Sequence, residues 1–138
     1  MPRNLDIEEI NRRVIQQFRA GGEIEGMQRD RLVVLTTVGA KTGRRRPTPM
    51  MFHRDGDSLV VVASNVGAPR HPDWYINLLA NPKVTVEVGG EIYDAAATTA
   101  EGAERTRLWA MLKETYPFFA DHEARTDRTI PVVVLTRV

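Results

Sequence analysis

Residues 39–47 read GAKTGRRRP, one lysine and three arginines gathered around two glycines. Gly39 and Gly43 permit positive φ and close backbone approach to a ligand, and Lys41 and Thr42 add an ammonium and a hydroxyl. Arg46 follows at the entry to the next strand. Such a turn of backbone N–H groups ringed by cations suits a phosphate or carboxylate. It is not a P-loop, because the G-x-x-x-x-G-K-(S/T) spacing is absent and no helix follows. Three readings stay open on the residues alone: an anion-binding turn, a solvated hairpin tip, and a nucleic-acid patch. The last ranks behind the others, since the loop has no interleaved aromatic and the chain's formal net charge is only +1.

A second cluster is ASNVGAPRHPDWYINL, residues 63–78. Here a strand end at Ala63-Ser64 meets a loop through Asn65, Gly67 and Ala68 and then a helix opened by Pro72. Backbone N–H groups at such a junction favour anions or the polar edge of a ligand. Trp74 and Tyr75 can stack on a flat molecule and Asn77 can bond it; the competing reading makes Trp74 a core residue of a short helix. Histidine chemistry is sparse. His53, His71 and His122 are dispersed with no paired ligand spacing, which argues against a metal site, and no G-x-S-x-G elbow surrounds Ser64.

The elements that must carry these residues follow from periodicity. Residues 5–18 place Ile7, Ile10, Val14 and Phe18 at helical spacing, an amphipathic helix that ends at Gly21-Gly22. This segment, 1–22, packs on the following domain, docks on a second subunit or lies on a membrane surface. Strands are expected at 31–38, 49–54, 58–64, 83–88, 91–98 and 130–136, with DGD and GG marking tight hairpins. Helices are expected at 72–80 and about 100–115, the second opened by a Thr98/Glu101 capping box, and 116–129 reads as irregular. Six strands without regular alternation with long helices exclude a doubly wound parallel sheet. The expectation is a mainly β (α+β) antiparallel barrel over residues 23–138 carrying helices.

At 138 residues, with 42% hydrophobic and 27% charged, the composition is that of one globular domain. The absence of cysteine removes disulfides, thiolate metal sites and a catalytic thiol, and fits a reducing, cytoplasmic setting. No stretch approaches the roughly 20 apolar residues that a membrane-spanning helix requires, and the N-terminus lacks a signal-peptide core.

Three blocks, LTTVGAKTGRRRPTPM, VVVASNVGAPRHPDWYINLLANPKVTVEV and YPFFADHEARTDRTIPVVVL, agree in order and spacing with one family. From about residue 30 onward the chain resembles the deazaflavin (coenzyme F420)-dependent nitroreductases, also described as F420H2-dependent quinone reductases. The resemblance implies a split β-barrel like that of FMN-binding proteins. It also implies a cofactor with a planar deazaflavin ring, a phosphate and a polyglutamate tail. Lys41 and Arg46 match the family's positions for the phosphate, with Thr42 and Gly43 in the turn. Pro49 and Met50 match positions lining the ring. Ala63, Ser64, Asn65, Gly67 and Ala68 match the segment holding the ring's polar edge, and Trp74, Tyr75 and Asn77 the flanking helix. Arg44 and Arg45 are left for tail carboxylates.

The implied reaction is hydride transfer from the reduced deazaflavin to a small apolar acceptor such as a quinone or activated double bond. A proton then comes from a side chain or water. Ser64, Tyr116 and His122 are the candidates for that polar chemistry. This chain departs from the nitroreducing member, which has tyrosines three residues apart in the last block: here the series is Tyr116, Phe119, His122. Asn65 stands where a lysine can occur. Cofactor binding is therefore expected to persist while acceptor preference differs, with nitroimidazole reduction the least expected activity. The alternatives are an FMN-dependent oxidoreductase on the same barrel, a non-catalytic F420 carrier, and, by analogy of fold, a homodimer.

Overall fold

The computed structural model describes residues 4–24 and 28–138. Its order is α1 (Asn4–Ala20), β1 (Leu32–Val38), β2 (Arg45–Met51), β3 (His53–Asp55), β4 (Ser58–Val62), α2 (Asp73–Ala80), β5 (Lys83–Val88), β6 (Glu91–Thr99), α3 (Gly102–Thr115), α4 (Phe118–Ala124) and β7 (Val132–Arg137). The seven strands form one antiparallel sheet in the order β2-β1-β5-β6-β7-β4-β3. The mainly β, antiparallel expectation holds, with differences in detail.

The run expected as one strand at 49–54 is two. It starts earlier, at Arg45, pairs along β1 to Met51, and resumes at His53 on β4. Phe52 stands between, with its N–H on Arg31 O at 3.2 Å. The two edge strands of the sheet are thus consecutive pieces of chain, and the sheet curls until they meet at this one residue. Pro47 and Pro49 sit on β2, which is an edge strand, where a missing N–H costs no ladder bond.

Residues 116–129 are not wholly irregular, since Pro117 opens the short helix α4. The capping box is a second correction. Thr98 lies inside β6, and α3 is N-capped by Glu101 without a side-chain cap hydrogen bond.

The curl creates an inside and an outside. Alternate residues of the strands, Val33, Leu35, Leu59, Val61, Val84, Val86, Val133 and Leu135, face inward. Phe52 joins them, and Tyr75 and Leu78 of α2 plug one end. Each such fully buried aliphatic side chain contributes about 1.5–3 kcal/mol. Outside, α3 and α4 lay Leu108, Trp109, Leu112, Tyr116 and Phe119 against Val60 and Val132. Leu32 and Val34 face α1 on the other flank, against Val14, Ile15 and Phe18. Ile10 of the expected apolar stripe is exposed, with Ile15 buried in its stead; the side chain of Ile7 is outside the described residues. Arg29 ties down the C-terminal end of α1, donating to the carbonyls of Phe18, Gln17 and Gly22 at 2.9, 3.1 and 2.6 Å. Arg19 makes a two-pronged ion pair with Glu87 of β5 at 2.9 and 2.7 Å.

Candidate active site

The strand directions bring the two sequence clusters to one end of the barrel. β1 and β4 finish there, and β5 and β7 begin there, as the pairings Thr36↔Thr85 and Val62↔Val132 require. The 39–44 turn, the 63–71 loop and α2 are therefore neighbours, although they come from separate parts of the chain.

In the turn, Gly39 N–H donates to Arg44 O at 2.8 Å and Gly43 N–H to Gly39 O at 2.9 Å. The Thr42 hydroxyl accepts from Arg44 N–H at 3.2 Å, so it shapes the turn from within. Gly43 holds a φ of +69° at the tip. Lys41, Arg44, Arg45 and Arg46 are all exposed. Among the described residues, only Arg45 of these four places its head group on a partner, Thr85 Oγ1 at 3.2 Å. Three cations therefore face solvent at the barrel end with no counter-ion among the described residues.

Asn77 of α2 holds the turn from below. Its Oδ1 accepts from Ala40 N–H at 3.0 Å and its Nδ2 donates to Thr37 Oγ1 at 3.3 Å. Tyr75 is buried in the barrel core with its hydroxyl 2.9 Å from Thr99 Oγ1. Trp74 is half-buried against the same core, its ring perpendicular to that of Tyr75. Pro49 and Met50 fall on opposite faces of β2, because successive strand residues alternate; Met50 packs toward the barrel interior.

The loop after β4 has an unusual backbone. Asn65, Val66 and Gly67 are successively left-handed, with φ of 48°, 56° and 80°. For a β-branched residue such as Val66 this is strained, and strain of this kind gathers at ligand-binding turns. Gly67 is fixed on two counts: its positive φ, and a Cβ there would lie 2.7 Å from His122 O and 2.8 Å from Arg125 Cβ. The loop is thus pressed against α4.

That contact aligns Ser64 with His122, whose Nδ1 lies 3.1 Å from the serine Oγ. Both side chains are largely shielded. Burial first, and then the charge of Arg125, pulls the His122 imidazole below its ordinary 6.5, with Asp121 opposing. Tyr116, Phe119 and His122 form a row along the α3–α4 junction, with successive ring centroids 5.9 Å apart and near perpendicular. Tyr116 does not share the Ser64–His122 hydrogen bond. Its hydroxyl is 3.2 Å from His53 Nδ1 on β3, and Arg31 lies over its ring.

Sequence reasoning missed two residues, His53 beside Tyr116 and Arg128, the second of which organises this end. Arg128 donates to the carbonyls of Ala63, Ser64 and Ala68 at 3.2, 2.7 and 2.9 Å, and its Nη1 lies 3.0 Å from His71 Nδ1. An arginine has no acceptor, so His71 receives this bond at Nδ1 and carries its proton on Nε2. Burial, and then the Arg128 charge, depresses the His71 imidazole below 6.5. The TDRT run gave a signal only in its turn chemistry, Thr126 Oγ1 accepting from Arg128 N–H at 3.3 Å. His53 gave none.

Comparison with known proteins then decides the family. The family model for F420H(2)-dependent quinone reductase matches residues 9–137. This chain belongs to the F420H2-dependent quinone reductase family. It is an oxidoreductase of that type, and the match begins inside α1, taking in most of a helix that the sequence blocks left out. An F420H(2)-dependent quinone reductase of Mycobacterium tuberculosis (strain H37Rv) is 42% identical over 108 residues, 76% of this chain and 72% of the relative. A solved structure of an F420-H2 dependent reductase, FDR-A, superposes with a TM-score of 0.69 at 40% identity, covering 76% of this chain and 93% of that one. Another, described as a domain-swapped dimer, gives a TM-score of 0.72 at 37% identity, with coverage of 94% and 96%. The heme storage protein HutZ of Vibrio cholerae shares the split-barrel fold alone, at 19% identity and a TM-score of 0.59. In this family member no helix among the described residues is long and apolar enough to cross a membrane.

Proposed function

We propose that this chain binds coenzyme F420 across the barrel end that carries the 39–44 turn and the 63–68 loop, and reduces a quinone-type acceptor there. The observation that carries the reading is the set of exposed cations Lys41, Arg44 and Arg46, without protein partners among the described residues, beside a strained, left-handed loop. The donor chemistry fits the cofactor: cations for its phosphate and carboxylates, backbone N–H groups and small residues for the polar edge of its ring, and apolar side chains for the ring's faces.

Lys41 and Arg46 take the phosphate in the turn shaped by Thr42 and Gly43. Arg44, with Arg45 at its side, meets the tail carboxylates. Ala63, Ser64, Asn65, Gly67 and Ala68 border the ring's polar edge; Met50, Pro49 and Trp74 supply apolar contact. Asn77 and Tyr75 act from behind, holding the turn and the helix in place. The bound cofactor supplies the hydride. The chain's part is to fix the geometry, shield the site from water and hold a proton near the acceptor. Ser64 with His122, and Tyr116, are the groups for that proton.

Titration of the purified protein with F420, FMN and FAD tests the reading. The expected result is F420 binding at micromolar Kd or tighter; tight FMN binding without F420 binding would favour a flavin oxidoreductase instead. Mixing reduced F420 with a panel of quinones then separates catalysis from carriage, since turnover restores the fluorescence of the oxidised cofactor. The relative described as a domain-swapped dimer supports a homodimer for this chain also, which light scattering would measure.

A further inference from the structure

The Tyr116 hydroxyl is the one acidic O–H in the aromatic row, and it is bonded neither to Ser64 nor to His122. Its partner is His53, a half-buried residue of the edge strand β3. The rings meet edge to face at 5.8 Å and 83°, with His53 Nδ1 3.2 Å from the phenolic oxygen. Tyr116 itself is buried, against Phe119 and the apolar face of α3. A buried phenol exchanges its proton slowly unless a second group connects it to solvent.

We propose that His53 is the residue through which Tyr116 recovers the proton it gives to the reduced acceptor. This rests on the reading above, in which Tyr116 is one of the groups that supply the acceptor's proton. The acceptor gains two electrons and a hydrogen as hydride, leaving negative charge on its oxygen. The Tyr116 O–H bond breaks toward that oxygen, and the proton on His53 Nδ1 moves to the phenolic oxygen. Neutral imidazole remains with its proton on Nε2, and the vacant Nδ1 takes the replacement proton from water before the next turnover. His53 acts through Tyr116 and is a positioning and relaying residue.

Three charged residues lie around the pair, and two of them are engaged elsewhere. Asp55, two residues along β3, is within electrostatic reach, but Arg107 of α3 holds both its carboxylate oxygens at 3.3 and 3.1 Å. Arg31 lies over the Tyr116 ring at 5.9 Å, and Arg54 turns away onto Phe52.

His53→Asn keeps an acceptor close to the Nδ1 position but cannot titrate, whereas Tyr116→Phe removes the hydroxyl. F420 affinity by titration, the pH profile of quinone reduction and imidazole NMR of the cofactor-free protein form the experiment. The relay predicts that F420 affinity is unchanged in His53→Asn while turnover falls by about tenfold or more. The pH profile should differ from that of the wild type, and added imidazole should restore turnover in His53→Ala. His53→Asn/Tyr116→Phe should be no slower than Tyr116→Phe alone. In the cofactor-free protein, Tyr116→Phe should shift the His53 resonances. A wild-type pH profile in His53→Asn, or additive losses in the double variant, would overturn the relay while leaving the cofactor reading intact. Failure of the wild type to bind F420 would overturn both, and the titration identifies that case.

Discussion

The side-chain carbonyl of Asn77 accepts the backbone N–H of Ala40 at 3.0 Å, coupling α2 to the basic turn across 37 residues of chain. Asn77 thereby anchors the backbone of the turn next to Lys41. Asn77→Ala removes this bond and the one to Thr37, a loss of about 1–2 kcal/mol. We expect a lower Tm together with weaker F420 binding, while Asn77→Asp, which keeps the acceptor for Ala40, retains more of both. Thermal unfolding and cofactor titration on the two variants provide the check.

Lys41→Ala and Arg46→Ala remove cations that make no internal contact among the described residues, so stability should scarcely change. Each is expected to weaken F420 binding by roughly ten- to hundredfold, the value of a charge-assisted contact. A steep fall of affinity with added salt should accompany wild-type binding and flatten in the variants.

Arg128 gathers three carbonyls and an imidazole nitrogen from one loop. Arg128→Lys keeps the charge but cannot reproduce the fork. It should cost at least about 2 kcal/mol, because buried acceptors are left without donors. Denaturant unfolding measures this, and proteolysis should cut near residues 65–70 sooner.

Gly67→Ala combines strain at φ +80° with a Cβ held 2.7 Å from a backbone carbonyl of α4. Destabilisation of about 1–3 kcal/mol is expected. The same change should disturb the Ser64–His122 hydrogen bond, visible as a shift of the His122 imidazole resonances.

The pH dependence follows from His71 and His122, both held below 6.5 in the folded chain. The unfolded chain binds protons more readily, so their contribution is fully present above about pH 6.5 and is lost as pH falls through the folded values. Tm should drop between pH 7 and 5, and the drop should shrink in His71→Gln and His122→Asn.

The sequence was most legible where local chemistry decides the outcome. The GAKTG turn, the GG hairpin and the apolar run of β1 each carry their conformation in a few adjacent residues, and each forms as expected. The break at Phe52 was not readable, because PMMFHR is a continuous β-forming run and only the curl of the sheet divides it. α4 was hidden by proline and polar residues whose helix depends on Phe119 packing against α3. Asn77, Arg128 and His53 acquire their roles from partners 37 to 65 positions away. No spacing rule links such pairs. Tyr75 illustrates the reverse: an aromatic suited to stacking is held in the core by its bond to Thr99.

The position of β7 in the sheet bears on synthesis. It lies between β6 and β4, so β4 leaves the ribosome roughly 70 residues before its partner, a wait of about 4–14 s at ordinary elongation rates. During that interval the β3–β4 hairpin exposes the apolar run Leu59–Val62 with an unpaired edge. The nascent barrel is then two fragments held by a tether, and the last strand to emerge is the one that joins them. Chaperone demand and truncation sensitivity should both concentrate on this final addition.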